Sequence, residues 1–292
     1  MIDPNVQTAL IIAVLAAGAM ILIADIVIAI VWFTRGGAGN ATPFARRWSV
    51  VDVFMGGQLA LIGMVVLVVI AMLCVVASGS DPMAIMLPMT APKLLWMMLM
   101  QDVPLLVAPL LYFRYRYRLG LRDLGMTRCN LRRGVWLGFL WSIPTIAGSF
   151  GLENLSRLLA DRWLSHKLVE SFEQIQAQSM MAPLLQHMDA EKFAIMFFII
   201  AIIAPFIEEI FFRGFLQNAV RIRWGVPTSI VVSTIVFAAI HMPMQFIFVY
   251  LYLSVMLALC YVRSKTLIAS MTLHFLNNAF VVVLAAMGLA KP

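Results

Sequence analysis

Two adjacent acids, Glu208 and Glu209, stand in the run IAPFIEEIFFRGF from Ile203 to Phe215, with Arg213 as the basic residue beside them. A carboxylate inside an apolar run is costly unless something compensates it, which makes such acids candidates for chemistry. On a helix Glu209 and Arg213 are four apart, share a face and form an ion pair. Glu208 is turned about 100° from Glu209, so it is left to meet a different partner. Two of the four histidines fall in neighbouring apolar runs, His241 closing FAAIH and His274 opening HFLNN. Phe237 shares a helical face with His241, and His274 shares one with Asn278. A carboxylate in this setting can deprotonate water for attack on an amide, and imidazole and carboxamide N–H groups can stabilise the oxyanion that follows. Glu208 suits the first task, His274 and Asn278 the second. The plainer reading is a structural Glu-Arg clamp with hydrogen-bonded core histidines, but the gathering of both histidines beside the acidic pair weakens it. Ser254 and Ser270 have no base at motif spacing, so no serine nucleophile is indicated.

These residues need a scaffold, and the composition says which kind. Of 292 residues 63% are hydrophobic and 12% charged, against about 45–50% and about 25% in soluble domains. Several runs reach the roughly 20 residues of a spanning helix, and the alternation of a membrane β-barrel is missing. The expectation is an all-α polytopic bundle of about eight spans: 8–33, 51–77, 94–113, 135–152, 193–220, 226–241, 244–262 and 267–289. The region 153–192 is too charged to span; its leucines and aromatics at spacings of three to five suggest an amphipathic helix at the interface. Sixteen Arg and five Lys give a net charge of +7, but they cluster in the loops after alternate spans, seven arginines between Arg114 and Arg133. That is the pattern of topology determinants rather than of nucleic-acid binding. It places those loops in the cytoplasm and both termini outside it. Cys74, Cys129 and Cys260 are too scattered for a disulfide framework or a thiolate metal site. The N-terminus lacks the basic segment of a cleaved leader. The chain divides into N-terminal spans with the basic loop (1–133) and a core that carries the motifs (134–292).

The spacings EExxxR, FxxxH and HxxxN, in this order on successive helices, resemble the CAAX protease and bacteriocin-processing (CPBP) family of intramembrane proteases, over roughly residues 134–287. The resemblance implies a glutamic protease: Glu208 and His241 activate water, His274 and Asn278 bind the oxyanion, Glu209 and Arg213 orient and neutralise the site, and Phe237 opens the FxxxH motif. It implies no cofactor, and as partner a peptide or protein substrate at the bilayer, prenylated in the best-known eukaryotic class and tied to peptide maturation or immunity in bacteria. Short loops and the lack of a targeting segment suit a bacterial inner membrane. Two other readings use the same residues. In one, His241, His274 and a glutamate hold zinc while the second glutamate acts as base, although no HExxH helix is present. In the other, a non-catalytic immunity, binding or transport protein uses the polar cluster to hold an ion or peptide. The oligomeric state is not legible.

Overall fold

A computed structural model describes residues 48–79, 91–124, 126, 130–163, 189–241 and 247–288. Every long element among them is helical, and six of these helices are long and apolar enough to cross a bilayer. The chain is an integral membrane protein. In hydrocarbon each backbone N–H must find its acceptor within the protein, and helices meet that demand locally. The expected span 8–33 lies outside the described residues.

Helix α1 (Val50–Ala77) starts at a capping box in which Ser49 and Asp52 exchange hydrogen bonds. The Asp52 carboxylate also accepts from Tyr112 Oη at 2.9 Å and lies 3.6 Å from Arg116 Nε. This cluster pins α1 to the end of α2 (Ala91–Tyr117). Helix α2 therefore runs past the expected end at residue 113: a first arginine ends a hydropathic run, but it does not end a helix. Gly56 and Gly63 of α1 give room to Pro109 and Pro104 of α2, whose Cβ atoms lie 3.4 and 3.2 Å from where a glycine Cβ would stand.

Helix α3 (Leu131–Trp163) also exceeds its expected span of 135–152. Residues 153–163, anticipated as the opening of a separate amphipathic segment, continue α3 because nothing in them breaks a helix. The remainder of that segment up to residue 188 lies outside the described residues.

The next element runs from Ala190 to Ile240 and comprises α4 (Ala190–Met196), a π-helix π1 (Phe197–Ile203), α5 (Ala204–Glu209), a second π-helix π2 (Ile210–Gln217) and α6 (Asn218–Ile240). As one straight rod of 51 residues it would extend about 77 Å, far beyond a hydrocarbon core of about 30 Å. It folds back instead at Gly225, whose φ of 85° and ψ of 176° interrupt α6 just before Pro227. A positive φ carries little strain only in a residue without Cβ. The return brings Phe237 against Phe212, with ring centroids 5.1 Å apart. Helix α7 (Ile247–Ser264) and α8 (Leu267–Ala286) complete the bundle.

Two contacts fix the frame around the acidic pair. Phe113 of α2 stacks on Phe215 of π2 at 4.1 Å, Trp48 packs edge-on against both, and its indole N–H donates to the Phe215 carbonyl at 3.0 Å. On the other side α3 lies directly on α8, because Gly134 and Gly138 present no side chain there. Small residues spaced four apart allow such close approach in membranes. A Cβ on Gly138 would fall 2.6 Å from Thr272 Cβ and onto the Ala269 carbonyl oxygen, whereas one on Gly151 would meet nothing within 4 Å. Gly138→Ala is therefore expected to cost about 1–3 kcal/mol by overpacking, while Gly151→Ala is neutral or slightly stabilising. Thermal unfolding of both variants in detergent checks this, and equal melting temperatures would refute the packing account.

Candidate active site

The short helix α5 ends in Glu208 and Glu209, and π2 carries Arg213. The anticipated i, i+4 pair is present, with Arg213 Nη1 donating to Glu209 Oε1 at 2.9 Å and both side chains wholly buried. The guanidinium reaches on to α7, where Nη2 donates to the Ser254 hydroxyl at 2.9 Å and to the Ser254 carbonyl at 3.2 Å. Its Cζ sits 4.9 Å from the centre of the Phe237 ring, a cation–π contact made more favourable by exclusion of water. Ser254, set aside in the sequence as a nucleophile, is here the acceptor that anchors the arginine. A small polar residue in an apolar helix gave no pattern that could have announced that role.

His274 of α8 lies against the same pair, its Nδ1 3.1 Å from Glu209 Oε1. That oxygen already accepts from Arg213, so Nδ1 is the donor and the Nε2 edge of the ring is turned away from Glu209. His241, at the end of α6, has its Nδ1 2.7 Å from the Phe237 carbonyl oxygen. A carbonyl oxygen only accepts, so Nδ1 carries the hydrogen and Nε2 faces the site. The His241 ring is stacked on Phe237 at 4.1 Å and flanked by Tyr250 of α7 at 5.2 Å. The sequence reading missed Tyr250, which lies outside the three motifs.

Glu208 occupies the space between the two rings. Its Oε2 is 3.5 Å from His241 Nε2 and 3.8 Å from His274 Nε2. The oxygen is buried, yet has no hydrogen-bond partner among the described residues. These separations exceed a normal hydrogen bond, so the two nitrogens and the oxygen line a small polar recess without closing it. The side chains of Glu208 and His241 keep 19% and 23% of their surface exposed, against none for Glu209 and Arg213. One carboxylate is thus locked into structure and the other is accessible. Asp102, buried on α2, is a further acid within electrostatic reach of Glu208.

Glu208, Glu209, Arg213, Phe237, His241 and His274 therefore meet. Asn278, one turn beyond His274, is held elsewhere: its Nδ2 donates to the Ile200 carbonyl in π1 at 2.9 Å, and its Oδ1 accepts from Asn277 at 3.3 Å. A cavity of about 340 Å³ opens between α3, π1, α5 and α8, and none of Glu208, His241 and His274 lines it. Its walls include Val135, Ile202, Pro205, Phe206, Met271 and Phe275, almost wholly hydrocarbon. Among the described residues no group of three or more His, Cys, Asp or Glu side chains is arranged to hold a metal ion.

Residues 190–280 match the family model described as type II CAAX prenyl endopeptidase Rce1-like. The membrane-embedded CAAX protease MroQ of Staphylococcus aureus (strain USA300) is 36% identical over 102 residues, a stretch that covers 32% of this chain and 40% of that protein. No solved structure matches. The segment matched by the family model, residues 190–280, contains all three motifs.

The division of labour between the two carboxylates has a measurable consequence. Glu209→Gln leaves the Arg213 guanidinium buried without its counter-charge, which typically costs about 3–5 kcal/mol. Glu208→Gln removes no hydrogen bond from Oε2 and is expected to melt close to wild type. Thermal denaturation of the two variants in detergent tests the difference, and equal losses would show that the two acids are not divided in this way.

Proposed function

We propose that this chain, whose motifs and matches support the CPBP family, is an intramembrane glutamic endopeptidase that cleaves a peptide bond without a metal. The observation that carries the reading is Glu208 Oε2, buried, without a hydrogen-bond partner among the described residues, and faced by the Nε2 atoms of two histidines. A water bound in this recess gives one proton to Glu208 while His241 Nε2, with its Nδ1 hydrogen fixed on the Phe237 carbonyl, accepts from and orients it. The oxygen attacks the scissile carbonyl carbon, and the π electrons of the carbonyl move onto its oxygen. His274 donates to that oxyanion through Nε2–H. With Nδ1–H already given to Glu209, this donation requires the ring to carry a hydrogen on both nitrogens. For the oxyanion role that the family resemblance gives it, Asn278 would have only the amide hydrogen not engaged by Ile200. When the tetrahedral intermediate collapses, the C–N bond breaks and the proton held by Glu208 passes to the leaving nitrogen. Preorganised donors of this kind gain strength in a site that excludes water.

The fold-back at Gly225, together with the span expected at 8–33, gives eight passes with both termini outside the cytoplasm, in a bacterial inner membrane. Residues 134–292 form the protease core, and the preceding spans buttress it. The substrate is a membrane-associated peptide, and the hydrocarbon cavity between α3, π1, α5 and α8 suits one that carries an apolar segment or a prenyl chain.

With purified protein and a quenched-fluorescent membrane peptide, Glu208→Ala and His241→Ala are each expected to abolish turnover. Their double variant should be hardly worse, because groups that act as one unit are not additive. Asn278→Ala should be milder than either, and chelators should leave the rate unchanged. Turnover by folded Glu208→Ala would refute the glutamic mechanism. A rate lost to chelator and restored by zinc would instead assign the two histidines to a metal. Absence of cleavage by a folded wild-type protein, across membrane peptides from its native host, would favour a binding role.

A further inference from the structure

The hydrogen bond from Asn278 to Ile200 has a specific origin in the backbone. In π1 the N–H of Ala204 bonds to the Ile199 carbonyl, five residues back, instead of to Ile200. In that register the next donor for the Ile200 carbonyl is residue 205, which is proline and has no N–H. The α-register donor is spent on Ile199 and the π-register donor does not exist. Ile200 is thereby left with a carbonyl oxygen that needs a partner inside an apolar bundle, and Asn278 Nδ2 meets it at 2.9 Å from α8.

The register matters because α5 follows π1 directly. Returning π1 to α-helical bonding would shift every later residue by one position, which is about 100° of rotation and about 1.5 Å of rise. Glu208 would then no longer face His241 and His274. His274 stands one turn before Asn278 on α8, so a bond from Asn278 to π1 fixes the ring and the carboxylate relative to each other.

We propose that Asn278 is a positioning residue: its amide gives Ile200 the donor that Pro205 withholds, and so locks α8 with His274 to the π-turn that aims Glu208. The geometric part stands without any assumption about activity, and the effect on turnover rests on the peptidase reading above.

The test is a double-variant cycle on the full chain in detergent, because Pro205→Ala returns an N–H at the position from which Ile200 can be served within its own helix. Asn278→Ala is expected to lower the melting temperature by several degrees in the wild-type background and by clearly less in the Pro205→Ala background. At a temperature where all four proteins are folded, the loss of kcat caused by Asn278→Ala on a quenched-fluorescent membrane peptide should shrink at least tenfold in the Pro205→Ala background. Equal melting losses in both backgrounds overturn the proposal. So does an undiminished loss of kcat, which is the result expected of an oxyanion donor with no positioning part. If Asn278→Ala does not fold alone, folding of the double variant is the expected rescue and its failure to fold overturns the inference. A wild-type protein that cleaves nothing would remove the peptidase reading, yet the melting cycle would still decide whether Asn278 replaces the donor missing at Pro205.

Discussion

The ion pair between Glu209 and Arg213 is the constraint on which the site is built. Two opposite charges with no exposed surface carry a large desolvation cost, and their mutual attraction offsets it only where further hydrogen bonds complete the geometry. Here those bonds come from other helices, Ser254 of α7 accepting from the guanidinium and His274 of α8 donating to the carboxylate. The pair thus joins three elements, and loosening any of them would strand a charge in the bundle. Glu209 Oε1 is taken by both Arg213 and His274, while its Oε2, like the Oε2 of Glu208, is buried without a hydrogen-bond partner among the described residues. Glu208 is turned toward His241 and His274 with an oxygen that has no hydrogen-bond partner among the described residues.

The helix that carries the acids departs from ideal geometry on both sides of them, and each departure is met by a side chain from another element or the next turn. Asn278 reaches the Ile200 carbonyl in π1, and Trp48 and Asn218 reach the Phe215 and Gly214 carbonyls in π2. Single π turns recur at functional sites, and here they set the facing of Glu208 relative to its partners. Gly225 then allows the chain to return, which brings Phe237 over Arg213, while His241 stacks on Phe237 one turn further along. The bilayer leaves no water to satisfy a stray carbonyl, so a side-chain donor at such a position takes the place of solvent.

Much of this was legible from residue spacing alone. The i, i+4 pair and the shared face of Phe237 and His241 follow from a period of 3.6, and the break expected between spans 193–220 and 226–241 contains Gly225, where the chain turns. The three motifs also pointed to a family that the comparisons support. The partner of Asn278 was not legible, because a π turn leaves hydrophobic periodicity almost unchanged while altering which carbonyl lacks a donor. The ends of α2 and α3 were set too short because polarity marks where a membrane stops, not where a helix does.

The central claim is that Glu208 is the reacting carboxylate and Glu209 the structural one. Its most direct measurement compares the termini of membrane-associated peptides, by mass spectrometry, in native-host cells producing wild type or Glu208→Gln at equal levels. The account predicts a defined set of cleaved ends in wild type that vanishes in the variant, with the intact precursors accumulating. An identical set of ends in both, with the variant protein folded, would contradict it.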